Sequence, residues 1–82
     1  MSDLPHTVDM ASFGERLHTA RRKAGITQIT LARECQLAVP NLNMLERGKG
    51  KGLRAHTLLA LADRLGVSTD YLLGRCEEMT HG

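Results

Sequence analysis

The chain has almost no aromatic character: across 82 residues it carries one phenylalanine, Phe13, one tyrosine, Tyr71, and no tryptophan. Readers of RNA and single strands stack bases on aromatic rings, so this composition argues against that class. Long apolar runs are also missing. The stretch Met1 to Ala11 holds Pro5 and two aspartates, and it reads as neither a secretory signal nor a membrane segment. The expectation is a cytoplasmic protein with no membrane partner. Only two cysteines occur, Cys35 at an apolar helix position and Cys76 near the end, without framework spacing. They read as a small core hydrophobe and a free tail thiol. His6, His18, His56 and His81 show no ligand spacing with either, so no metal site is expected. Paired carboxylates, a nucleophile with its base and a glycine-rich phosphate cradle are all lacking, which points away from an enzyme and from a cofactor.

What is present is a basic body between acidic ends. The formal net charge is only +2. Residues 13 to 75, however, hold all eleven Lys and Arg against five acids, a local excess of +6. Asp3, Asp9, Glu77 and Glu78 lie outside that span. Such a distribution suits a polyanionic partner.

Apolar spacing divides the body into short helices. Ser12-Phe13-Gly14-Glu15 has the form of a capping box, and Phe13, Leu17, Ala20 and Ala24 continue one face up to Gly25. Arg21, Arg22 and Lys23 fall in the last turn, where positive charge suits the helix dipole; Arg22 and Lys23 read equally as a solvated helix end. Thr27 caps a second helix, about residues 28 to 35, with Ile26, Leu31, Ala32 and Cys35 inward. A third, about 39 to 47, turns Leu42 and Leu45 inward behind Leu37, and Pro40 is tolerable there only in the first turn. Two short helices joined by a tight turn are a helix-turn-helix. The outward side of the second is almost all uncharged: Val39, Pro40, Asn41, Asn43 and Met44. A helix of that kind has the diameter to enter the major groove of double-stranded DNA.

Beyond Gly48, Lys49-Gly50-Lys51-Gly52 forms a flexible basic loop, which reads as phosphate-binding or as merely solubilising. A fourth helix starts near Ala55, with Leu58, Leu59, Ala62 and Leu65 as its apolar stripe. Ser68 caps a fifth, which carries Tyr71, Leu72 and Leu73. The expected organisation is a flexible tail over residues 1–11, a domain over 12–74 and a C-terminal tail over 75–82.

Gly25-Ile26-Thr27-Gln28 with Leu31-Ala32, the ending Leu45-Glu46-Arg47-Gly48, and the run from Leu58-Leu59 through Leu65-Gly66-Val67-Ser68 to Tyr71-Leu72-Leu73 occur in order. Together they resemble the DNA-binding domain of phage repressor and Cro-like, Xre-type regulators, over residues 13–74. The resemblance implies an all-α, compact five-helix lambda-repressor-like fold and a transcriptional regulator, a repressor that binds a two-fold symmetric operator as a homodimer. By position it implies that Thr27 and Gln28 hold a phosphate and brace or contact a base, that Val39, Pro40 and Met44 face bases, and that Asn41 and Asn43 line the groove or its wall. Valine and methionine suit thymine methyls, and asparagine suits adenine. Arg47, Lys49, Lys51 and Arg54 match the phosphate-facing loop, and Arg21 and Glu46 match an inter-helix ion pair. The apolar Val39-Pro40 face keeps a second reading open, an antitoxin or adaptor that uses the fold to hold a protein.

Three departures stand out. Gln36 occupies the place where the turn usually has glycine, and Ala38 the place of the usual serine or threonine cap, so the turn is expected to be strained or differently capped. The loop from Gly50 to Leu53 is slightly longer than the common pattern. A dimer contact is expected near the C-terminal end, at Tyr71, Leu72, Leu73 and Leu61, although these residues read first as core.

Overall fold

Most of the predicted apolar residues are packed inward in the computed structural model, which describes residues 9–50 and 52–79. Five helices follow in order: α1 (Met10–Ala24), α2 (Gln28–Glu34), α3 (Val39–Glu46), α4 (Ala55–Leu65) and α5 (Thr69–Leu72). No strand occurs among the described residues. The largest fully buried side chains come from every helix: Phe13 and Leu17 of α1, Leu31 of α2, Leu42 of α3, Leu61 of α4 and Leu72 of α5. One core therefore holds all five, and no helix this short is stable alone.

Helix α1 begins earlier than the Ser12 capping box predicts. The side chain of Asp9 is the N-cap and accepts from the amides of Ala11 (3.1 Å) and Ser12 (3.3 Å). A carboxylate is a good acceptor at the positive end of a helix, and the extra turn places Met10 against the core. At the other end Ala24, expected on the inward face, is exposed.

Close approach of α1 to the end of α3 rests on Gly14. A Cβ built there would stand 2.5 Å from the carbonyl oxygen of Leu45 and 2.7 Å from that of Glu46, both closer than packed atoms come. Only glycine lets the α1 backbone lie directly on the last turn of α3.

The inward face of α4 differs from the expected stripe. Thr57, Leu61 and Ala62 are buried, Leu58 and Leu65 are half-buried, and Leu59 is 55% exposed. Leu59 and Leu61 are two residues apart, roughly 200° around a helix, so burying one exposes the other. Burial also corrects the expected dimer contact: Leu61 and Leu72 are inaccessible and Tyr71 is nearly so, which leaves only Leu73 of that group half-exposed.

The segment after α5, expected as a tail, packs back over the domain as far as it is described. The amide of Ser68 donates to the carbonyl of Met79 (2.8 Å), and Cys76 and Met79 rest against the core. Arg16 organises this return. Its guanidinium donates to the carbonyls of Tyr71 (3.1 Å) and Cys76 (2.9 Å) and lies over the Tyr71 ring, 4.8 Å from the centroid. Both cysteines are free and half-buried. Burial pushes the Cys35 thiol up, with the nearby Arg64 charge opposing and the Glu34 carboxylate adding to the rise. No described helix is long and apolar enough to cross a membrane.

Candidate nucleic-acid interface

The angle between α2 and α3 is set by a turn that uses a residue poorly suited to it. Helix α2 starts on Thr27, whose hydroxyl accepts from the amide of Thr30 (3.1 Å), as its sequence position predicts. It ends at Cys35, and Gln36 then adopts φ 60°, the sole non-glycine residue with positive φ among those described. The left-handed region costs an L-residue roughly 1–2 kcal/mol, and the amide of Leu37, which donates to the carbonyl of Ala32 (2.8 Å), secures the bend. Ala38 is the N-cap of α3 and makes no side-chain capping bond, and Pro40 sits in the first turn. Packing of Leu42 and Leu45 therefore holds α3 in place, in the absence of a cap.

With those leucines inward, the opposite side of α3 faces out. Pro40 and Asn41 are exposed, as are Val39 and Met44, and Asn43 is half-buried. Arg47, Lys49 and Arg54 are exposed around the end of the helix and the start of α4. Lys51 lies outside the described residues.

A buried polar cluster ties this helix to the two before it. The Glu46 side chain, 3% exposed, accepts from Arg21 through Nε (2.6 Å) and Nη2 (3.0 Å), as well as from Gln28 Nε2 (3.1 Å). His18 Nδ1 stands 3.0 Å from the same carboxylate and 3.3 Å from Arg21 Nη2. One ring nitrogen cannot donate to the first and accept from the second at once, so the tautomer decides which bond forms. Arg21 Nη1 also donates to the carbonyl of Ile26 (3.0 Å), which fixes the entry to α2. Burial works to raise the Glu46 carboxyl, but the hydrogen bonds from Arg21, His18 and Gln28 and the charge of Arg21 outweigh it and hold the carboxyl below its ordinary value.

Two expected site residues, Gln28 and Asn43, make hydrogen-bonding contacts within or beside this cluster. Gln28 spends its amide on Glu46, and its oxygen receives a long contact from Asn43 Nδ2 (3.5 Å). Gln28 thus links α2 to α3 through Glu46 and Asn43. Asn41 is the exposed amide left on the outer face. Sequence reasoning missed Ile29, which is 63% exposed at the second position of α2 and lines an open hollow with Val39. The signal was available, since Ile29 lies two residues from the buried Leu31 and so on the other side of the helix. Ile26 and Cys35, expected inward, are half-buried against the core.

The helix-turn-helix family HTH_3 matches residues 17–72. The chain is 44% identical over 66 residues to the HTH-type transcriptional regulator ImmR of Bacillus subtilis (strain 168), a match that covers 80% of this chain and 51% of that protein. It therefore spans about half the length of that relative. Two solved structures are similar in fold and sequence. The restriction-modification controller protein C.AhdI from Aeromonas hydrophila is 31% identical, with a TM-score of 0.72 over 78% of this chain and 96% of that one. The P22 c2 repressor, solved in complex with a synthetic operator, has the same identity, TM-score and coverage.

Proposed function

This chain belongs to the Xre-type helix-turn-helix family of phage-repressor-like, DNA-binding transcriptional regulators, and on that basis we propose that it is a repressor that places α3 in the major groove of operator DNA. The observation that carries the reading is electrostatic. Between Glu34 and Asp63 the sequence has one acid, Glu46. Its carboxylate is turned inward and bonded to Arg21, so it does not face a phosphate. Arg47, Lys49 and Arg54 stand exposed beside the same helix. A surface cleared of carboxylates and edged with cations suits the backbone of duplex DNA.

Within that reading, Val39, Pro40, Asn41 and Met44 face base edges, and Arg47, Lys49 and Arg54 contact phosphates, joined by Lys51 on its sequence position. Thr27 holds the start of α2 near the backbone. Gln28 and Asn43 act from behind and set the depth of α3. One recognition helix spans few base pairs, so two copies occupy half-sites about one helical turn, roughly 34 Å, apart on a two-fold symmetric operator. Homodimerisation on DNA follows.

The test is selection of bound sequences from a random duplex pool, followed by titration at several salt concentrations. Lys49→Ala should weaken binding to all duplexes alike and reduce the salt slope by about one unit, whereas Asn41→Ala should change the preferred sequence. An unchanged slope in Lys49→Ala refutes the phosphate assignment. Saturation of the best operator by a single copy at nanomolar affinity, read by sedimentation, refutes the dimer.

A further inference from the structure

The outer face of the helix-turn-helix is more apolar than a polar reading of bases requires. Ile29, Val39 and Met44 are three of the four large exposed hydrophobic side chains among the described residues, and all three lie on α2 or α3. Ile29 and Val39 come from different helices and line one open hollow together with Ile26 and the polar Arg21, Arg22, Thr27 and Gln28. The polar alternatives are partly withdrawn. Gln28 donates to Glu46, and Asn43 is turned toward Gln28.

On the operator-binding reading, a hollow with apolar side chains beside the first residue of a recognition helix meets the base edges of the major groove. The apolar group those edges present is the 5-methyl of thymine; cytosine, guanine and adenine offer donors and acceptors there. Resting on the operator-binding reading, we infer that Ile29 is a specificity-determining residue, which forms with Val39 a two-helix seat for a thymine methyl in each half-site. The exposed cations at Arg22 and Arg47 suit duplex DNA as the occupant of this seat. Specificity at that base pair comes from excluded water and shape, since neither side chain has a polar atom.

Replacing single thymines of the selected operator by deoxyuridine removes the methyl and leaves every hydrogen-bonding group in place. At one thymine per half-site this substitution should weaken binding about fourfold, the worth of one buried methyl group. In Ile29→Ala the same substitution should cost less than about twofold, while the salt slope stays that of the unaltered protein. Ile29 is mostly exposed, so the variant should melt with the parent protein, which a thermal scan verifies. Tolerance of deoxyuridine at every position overturns the inference and leaves operator binding standing. A penalty that persists undiminished in Ile29→Ala overturns the part given to Ile29. If Ile29→Ala binds every duplex as the parent does, the inference fails. If the pool yields no preferred duplex, the operator reading itself falls, and this inference with it.

Discussion

Replacing Glu46 by alanine tests how the recognition helix is held. The carboxylate receives Arg21 Nε and Nη2, His18 Nδ1 and Gln28 Nε2, all between 2.6 and 3.1 Å. Alanine removes all four acceptor contacts at once. The Arg21 side chain is 10% exposed and keeps only neutral acceptors, the carbonyl of Ile26 and, in one tautomer, His18 Nδ1, so its charge is stranded between α1 and α3. An exposed ion pair contributes at most about 1 kcal/mol, whereas breaking a buried one costs about 3–5 kcal/mol. His18 lies half in water and has solvent as a substitute partner, which places the expectation near the lower end, about 3 kcal/mol. Against a total of about 5–15 kcal/mol for a small domain, that loss brings the variant close to unfolding. Urea melts of Glu46→Ala, Arg21→Ala and the double variant give the coupling, expected at about 2 kcal/mol or more. Replacing both residues with Met and Leu should recover much of the loss, because no charge is then left buried. A cost under about 1 kcal/mol for Glu46→Ala, or a coupling near zero, refutes the argument.

Four further outcomes follow from particular contacts. Because the folded Glu46 carboxyl is held below its unfolded value of about 4.3, the unfolded chain takes up the proton first. The contribution is complete above that pH and lost as pH falls through the lower folded value, so acid melts of Glu46→Gln should show a shallower decline than the parent. Gly14→Ala should destabilise by about 2 kcal/mol despite the better helix propensity of alanine, since the new methyl meets backbone oxygens of Leu45 and Glu46 that cannot turn aside; a thermal scan reads this. Gln36→Gly should raise stability by up to about 1 kcal/mol in urea melts by relieving the left-handed turn, less the entropy glycine adds to the unfolded chain. Arg16→Ala removes the clasp on Tyr71 and Cys76, so amide exchange at Ser68, whose acceptor is Met79, should quicken while α2 and α3 keep their protection.

Short-range rules made much of this molecule legible in its sequence. The number of helices, the caps at Thr27 and Ser68 and the inward leucines at 31, 42 and 45 each depend on residues a few positions apart. Helical periodicity and capping chemistry act over that distance. The exposure of Val39, Pro40, Asn41 and Met44 was readable for the same reason, once Leu42 and Leu45 were assigned to the core, whereas Asn43 is half-buried beside Gln28. What stayed ambiguous was any choice between two local solutions. Ser12 was expected as the cap of α1 and Leu59 in the stripe of α4, whereas Asp9 is the cap and Leu61 is buried, with Met10 and Leu61 packed on the core. Contacts between distant residues needed the tertiary fold. The clasp of Arg16 joins residues about sixty positions apart, and the glycine contact at Gly14 shows only when α1 lies across α3. The meeting of Gln28 with Glu46, which draws that amide off the outer face, and of Ile29 with Val39, which makes the apolar hollow, likewise exists only after α2 and α3 dock. The sequence alone determined how many helices there are and most of their apolar faces and ends. Which side chains those faces leave open to a partner was decided by the packing angles of the helices, a cooperative result of the whole core that no local spacing encodes.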